Sequence, residues 1–287
     1  MAEVAVIIPH FNDAARLRRC LAALMVQDLT GVEVVVVDNG SAVSLDPLAR
    51  DYPAIRFIHE PRKGAALARN RGVAETTAPR LFFLDCDCVP APDWLASAKR
   101  VAGQADLVGG AIDVFDETPP PRTGAQAFEA VFAFDYRTYI DKKGFSVTAN
   151  LLTRRDVFLA VGPLVPGLSE DLDWCHRARA MGYTLICAEA VRVGHPSRGD
   201  WPALRRKWLR LTEEGFGVNG SSARARLNWA LKGMAMPASI LAHAPKVMRS
   251  RKLSGFAQRV AALQTLARLR LCRAVWMIRQ ATGLPIG

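Results

Sequence analysis

Val32-Glu-Val-Val-Val-Val-Asp-Asn-Gly-Ser41 is the stretch from which the fold can be read. Five valines and one glutamate leave no polar face, which predicts a strand over 32–37 buried on both sides. The run stops at Asp38-Asn39-Gly40-Ser41, residues that favour a turn. Upstream, residues 4–8 form a short β-branched strand that Pro9 closes. Residues 14–26 carry apolar side chains at helical spacing (Leu17, Cys20, Leu21, Leu24) with Arg16, Arg18 and Arg19 outward. Downstream, a strand over 55–59 precedes a helix over 63–74. A fourth strand over 80–84 ends in Asp85-Cys86-Asp87. Strands alternating with helices predict an α/β fold with a mixed, mostly parallel sheet flanked by helices on both faces. Ligands of such sheets bind beyond the C-terminal strand ends, where Asp38, Asp85 and Asp87 lie.

The rest of the chain is less regular. Residues 116–124 (DETPPPRTG) read as a proline-rich boundary or rim. A strand near 146–152, a helix from Arg155, a helix over 169–181 and short strands over 184–188 and 191–193 precede His195-Pro196. Residues 203–287 read as largely helical. The domain expectation is therefore a catalytic domain over 1–200, with a nucleotide-side half (1–100) and an acceptor half (101–200), and a basic helical tail over 201–287.

Charge separates these parts. The 287-residue chain has a net charge of +11, yet residues 198–287 hold 17 Lys/Arg and 3 Asp/Glu, a balance of +14, leaving −3 for the first 197. From Gly215 onward there are 12 Lys/Arg and no acidic residue. Such a tail suits an anionic surface, with phospholipid headgroups or nucleic acid as candidates. Residues 256–279 set Val260, Leu263, Leu266, Leu269, Leu271, Val275 and Ile278 among five arginines, the pattern of an interfacial membrane helix or of a helix docked on protein. No aromatic base-stacking platform accompanies the charge, which argues against nucleic acid. Residues 227–248 are interrupted by Lys232, Pro237, His243 and Pro245, so no membrane span is expected. With no basic leader and six scattered cysteines, free thiols and a cytoplasmic location, with possible peripheral contact with the membrane's cytoplasmic face, are the expectation.

Chemistry concentrates in two acidic groups. Asp85 and Asp87, one residue apart in extended chain, point to the same side. Like charges there call for a cation, and a hard divalent ion shared with diphosphate oxygens meets the need. A polar turn accounts for the same triplet without any ion. Cys86 and Cys88 lack the second pair that a structural zinc site requires. Ser169-Glu170-Asp171-Leu172-Asp173 opens a helix that Ser169 can cap, and acids in the first turn suit the dipole. Asp173 lies four residues before Arg177 and is expected to pair with it. Glu170 and Asp171 are then left for general-base chemistry. Gly215-Phe-Gly-Val-Asn-Gly220 matches a dinucleotide fingerprint by letter only, with no strand before it.

Taken together, these stretches resemble the family 2 glycosyltransferases of the GT-A fold, over roughly residues 3–200. Val4-Ala-Val-Ile-Ile-Pro-His-Phe-Asn12, Val34-Val-Val-Val-Asp-Asn-Gly-Ser41, Gly64–Gly72 and Phe82-Phe-Leu-Asp-Cys-Asp87 are similar to its donor-side blocks. The blocks Ala149–Gly162 and Glu170–Gly182 are similar to its acceptor side. The resemblance implies an inverting, metal-dependent transferase moving a sugar from a nucleotide-diphosphate donor, such as a UDP-sugar, to an acceptor hydroxyl. The acceptor would be a glycan or lipid-linked molecule in polysaccharide or cell-envelope glycan synthesis. Pro9 and Phe11 would border the base, Asp38 would bond the base or ribose, and Arg69 would approach the donor phosphates. Asp85 would contact the ribose or a Mn²⁺ or Mg²⁺ ion, Asp87 would ligate it, and His195 falls where some members place a metal or diphosphate ligand. Asp171 would be the base, with Glu170 beside it. His10, Phe11 and Cys88 depart from the family's pattern. A nucleotidyltransferase of similar sheet type, and an inactive glycan- or membrane-binding protein on this fold, are the competing readings.

Overall fold

The computed structural model describes residues 2–167 and 169–286. In chain order the first elements are β1 (Val4–His10), α1 (Ala14–Met25), β2 (Val32–Asp38), α2 (Asp46–Asp51), β3 (Arg56–His59), α3 (Ala65–Ala74) and β4 (Arg80–Leu84). Then come β5 (Val89–Pro90), α4 (Trp94–Val101), β6 (Leu107–Phe115), α5 (Gly124–Phe132), a π-helical turn (Thr138–Lys142), β7 (Asn150–Arg154) and α6 (Arg155–Val161). The chain continues with α7 (Glu170–Ala180), β8 (Leu185–Pro196), α8 (Trp201–Asn219), α9 (Ala223–Ala235), α10 (Ala238–Met248) and α11 (Gly255–Ala281). The strands form one sheet in the order β3-β2-β1-β4-β7-β6-β8-β5. β1 to β4 are parallel, β7 runs against β4, and β6 against β7, so β6 regains the direction of the first four.

Two compact units result, the first from residues 2–113 with Asp135–His195, the second from Val114–Phe134 with residues 196–286. In the first, alternation along the strands loads both faces. Ala5, Ile7, Val35, Val37, Leu81 and Phe83 share a core with α3, α6 and α7 through Val73, Val157, Phe158 and Trp174. The alternate residues Val4, Val6, Ile8, Val34, Val36 and Phe82 are equally buried on the other face, where Phe82 meets Trp94 edge to face. A strand with no polar face is stable only when covered in this way.

Pro9 does not close β1, which continues to His10. The carbonyl of His10 accepts from the Asn39 N–H on the β2 side. Pro9, one residue earlier, turns its nitrogen toward β4, whose pairing with β1 has ended at Ile7–Phe83. Its missing N–H therefore leaves no gap in the ladder. The two short strands expected over 184–193 are one strand, β8, and Ser169 stands at the start of α7 without capping it.

The second unit is helical. Phe128 on α5, Leu204 on α8, Val247 on α10 and Leu266 and Leu269 on α11 form its core. The face of α11 expected to lie on a membrane is thus partly committed to protein packing. With no carboxylate on α11, arginines of α8 and α11 pair with indoles across the two helices: Arg268 over Trp201 at 4.1 Å, Arg273 over Trp208 at 4.7 Å and Arg205 over Trp276 at 5.5 Å. Among the described residues, no helix is long and apolar enough to cross a membrane.

Gly72 sets how closely α3 approaches the sheet, because a Cβ there would lie 2.5 Å from Ile7 Cγ2 and 3.2 Å from Val37 Cγ2. Gly72→Ala gains about 1 kcal/mol of helix propensity but overpacks a filled core by about 1–3 kcal/mol. Net destabilisation is expected as a lower urea midpoint at unchanged slope, and an equal or higher midpoint would show that α3 yields freely.

Candidate active site

The nucleotide-side wall is built from the ends of β1 and β2. The register pairs His10 with Asp38. His10 is buried, and its Nε2 accepts from the Asp13 N–H at 3.0 Å, which leaves Nδ1 as donor to Asp38 Oδ1 at 3.1 Å. Ser41 Oγ donates to the same oxygen at 2.5 Å, and the Ser41 N–H donates to Oδ2 at 3.2 Å. Burial pushes the Asp38 carboxyl upward, but the bonds from Ser41 and His10 outweigh it and hold it below its usual range. Asn12, at a positive φ of 52°, donates its N–H to Ser41 Oγ and accepts from the Ala42 N–H, lashing the two turns together. Phe11 stands half-exposed at the tip, as a base-stacking ring requires. Pro9, two residues earlier, is buried and lies opposite Val37 in the register.

The acidic centre is organised by Arg69. This side chain on α3 is 4% exposed; its guanidinium donates to Asp85 Oδ1 at 2.5 Å and to Glu170 Oε1 at 2.6 Å. A buried cation shared by two carboxylates is held firmly in place by them. One guanidinium thus joins the turn after β4 to the first residue of α7. Asn70 reinforces the link, donating to the Leu164 carbonyl and accepting from its N–H at 2.8 and 3.0 Å. From the other end, Trp174 Nε1 donates to the Gly162 carbonyl, and Arg177 to those of Val161 and Pro163. Arg177 also pairs with Asp173 at 2.9 Å, as the i,i+4 spacing predicts.

Asp171 is half-buried beside Glu170. Its Oδ1 accepts from the Leu172 N–H at 2.9 Å and from Ser169 Oγ at 3.2 Å, so Ser169 serves the carboxylate and not the helix end. Burial raises the Asp171 pKa despite these bonds and despite Arg69. Burial also raises Glu170, opposed by Arg69 and aided by the like charges of Asp171 and Asp85.

Asp87 faces a different partner. Pairing of Val89 with Gly194 brings it to His195, which is buried with Nε2 3.2 Å from Asp87 Oδ2. Among the described residues no group of three or more His, Cys, Asp or Glu has metal-holding geometry. Asp85 is drawn instead toward Arg69. A carboxylate and an imidazole side by side fit a divalent ion that takes its remaining ligands from diphosphate and water. Four carboxylates set against one guanidinium leave an excess of negative charge that such an ion would neutralise. Burial, then Asp87 and Asp85, push the thiols of Cys86 and Cys88 far up.

Several of these supports escape a reading of the sequence. His10 stands out there only as an unusual residue, although a constant offset of 28 between two equal strands would have set it beside Asp38. Asn70 carries no signal of its own.

Comparison with known proteins agrees with this geometry. A model of Glycosyl transferase family 2 matches residues 5–162. The glycosyltransferase AglE of Haloferax volcanii is 32% identical over 216 residues, covering 71% of this chain and 70% of its own. A mannosyltransferase from Pyrobaculum calidifontis, solved with GDP-Man and Mn²⁺, superposes with a TM-score of 0.55 at 20% identity over 99% of this chain and 76% of that one. GalNAc-T7, solved with UDP, GalNAc and Mn²⁺, gives 0.53 at 18% identity over 74% and 48%. Fold, ordered blocks and family match converge: the chain belongs to the family 2 glycosyltransferases and has the GT-A fold.

Proposed function

We propose that this transferase moves a sugar, with inversion, from a nucleotide-diphosphate donor such as a UDP-sugar onto a hydroxyl of a glycan or lipid-linked acceptor. The observation that carries this reading is the Arg69 bridge, which sets the Asp85 turn and the Glu170-Asp171 helix start around one buried cation. The solved neighbours, captured with GDP-Man and with UDP and GalNAc, support the donor class.

Phe11 offers its ring to the base, and Asp38, held ionised by His10 and Ser41, accepts from the base or ribose. Asp171 takes the proton of the acceptor hydroxyl as that oxygen bonds to the anomeric carbon. The anomeric bond to the diphosphate breaks on the opposite face, and its electron pair leaves with the nucleoside diphosphate. A raised pKa makes Asp171 a stronger base than an ordinary carboxylate, while Glu170 is held by Arg69 and orients the helix start. Asp87 and His195 would hold the divalent ion, which when bound supplies charge neutralisation for the leaving diphosphate.

Asp171→Asn is expected to lower kcat by about 10²–10⁴-fold while donor binding, measured by calorimetry, stays near wild type. Wild-type turnover would remove Asp171 from the role of base. The base acts ionised, so kcat/KM falls as pH drops through its pKa. Because burial raises that pKa, the acid limb should lie above the usual carboxylate range, and Asp173→Asn should leave it in place. A limb at ordinary carboxylate pH would contradict the assignment. Asp87→Ala and His195→Ala should each weaken Mn²⁺-dependent binding of the nucleoside diphosphate by about tenfold or more and leave metal-free binding unchanged. Equal loss with and without metal would argue against a shared ion. Product analysis with nucleotide sugars distinguishes sugar transfer from nucleotidyl transfer and from an inert fold.

A further inference from the structure

The second unit carries an apolar stripe on the wrong side of its helices. Leu227, Leu231, Met234, Ala238, Leu241, Pro245 and Met248 follow one another at spacings of 4, 3, 4, 3, 4 and 3, and every one is exposed. This is the period of one helical face. The face is continuous across the α9–α10 junction, because Met236 and Pro237 keep helical dihedrals. The inward residues of the same helices, Trp229, Gly233 and Val247, are buried, so the stripe is not a core face left over from packing. Leu271, Val275 and Ile278 on α11 repeat the pattern and are also exposed. Gly233 lets the two helices meet closely, since a Cβ there would lie 3.0 Å from Met277 and 3.4 Å from Ile278. The exposed Ile278 thus lies beside α9.

Charge decides what covers them. Arg224, Lys232, Lys246 and Arg249 flank the α9–α10 stripe and are exposed, and no acidic residue follows Gly215. A second copy would bring cations against cations, which opposes self-association through this face. An anionic partner with an apolar interior matches both properties at once. An amphipathic face of this kind, apolar along its centre and basic at its flanks, suits a helix lying in the plane of such a layer.

We propose that the α9–α10 face, extended by the exposed end of α11, docks on an anionic phospholipid surface, with the leucines and methionines entering the interface and the flanking cations facing headgroups. The inference does not depend on the assignment of the catalytic residues.

Co-sedimentation of the full chain with phosphatidylcholine vesicles, with and without phosphatidylglycerol, at low and high salt, tests it. Binding is expected only with phosphatidylglycerol and should weaken at least about tenfold at high salt. The exposed substitutions Leu231→Asp with Leu241→Asp, and separately Lys232→Gln with Lys246→Gln and Arg249→Gln, should each reduce binding by about tenfold or more. Their unfolding midpoints and donor turnover in solution should remain wild type, which separates this outcome from misfolding and from failure of the catalytic reading. Absence of vesicle binding, binding unaffected by either variant, or a wild-type dimer that Leu241→Asp dissociates would overturn the proposal.

Discussion

A single buried guanidinium between two carboxylates is the constraint on which the catalytic unit turns. Arg69 on α3 ties together two segments far apart in the chain, since it holds Asp85 after β4 and Glu170 at the head of α7. An isolated cation at that depth would be strongly destabilising, and each carboxylate alone would face its neighbours' like charge. Together they are mutually necessary. The position of α3 matters for this reason: Gly72 brings the helix against β1 and β2, and Asn70 fastens it to the segment that leads into α7. Backbone packing thus fixes the distance over which the ion pairs form.

The same arrangement divides labour among the acids. With Asp85 and Glu170 sharing Arg69, Asp87 is left to His195, and Asp171 is left with hydrogen bonds from Ser169 and its neighbouring amide. Burial raises Asp171, whereas two donors overcome burial at Asp38 and hold it ionised. Carboxylates of similar intrinsic acidity are thus pushed in opposite directions by their surroundings alone, a pattern that acid–base sites exploit generally. Burial together with Asp87 and Asp85 pushes the thiols of Cys86 and Cys88 far up.

Much of this was legible in the sequence because it depends on local pattern. The valine run, the strand over 80–84 and the Asp173–Arg177 pair follow from periodicity and spacing, and the structure reproduces them. What was not legible depends on long-range approach. β6 was missed because Gly109 and Gly110 weaken a strand by composition. In the fold they are needed where Ser146 and Asn150 press against the backbone, at 2.4 and 2.1 Å from a hypothetical Cβ. α5 was missed behind its proline-rich leader, although Thr123 and Gln126 form a capping box that the sequence displays. Arg69 shows the same limit: its place in the Gly64–Gly72 block is legible, but its sharing by Asp85 and Glu170 depends on approach across 16 and 101 residues.

The second unit answers to a different economy of charge. Its core contains Glu129, buried and joined to Lys207 at 2.6 Å and to the Arg198 amide at 2.7 Å, but past Gly215 no acid is available to neutralise twelve cations. Indole faces take over part of that role for Arg268, Arg273 and Arg205. A cation–π contact holds an arginine in place without cancelling its charge. A helical unit assembled this way stays strongly positive, whereas salt bridges in the same places would have cancelled much of its charge. Packing of this kind fixes the arginines of α8 and α11 in place and leaves their charge uncancelled.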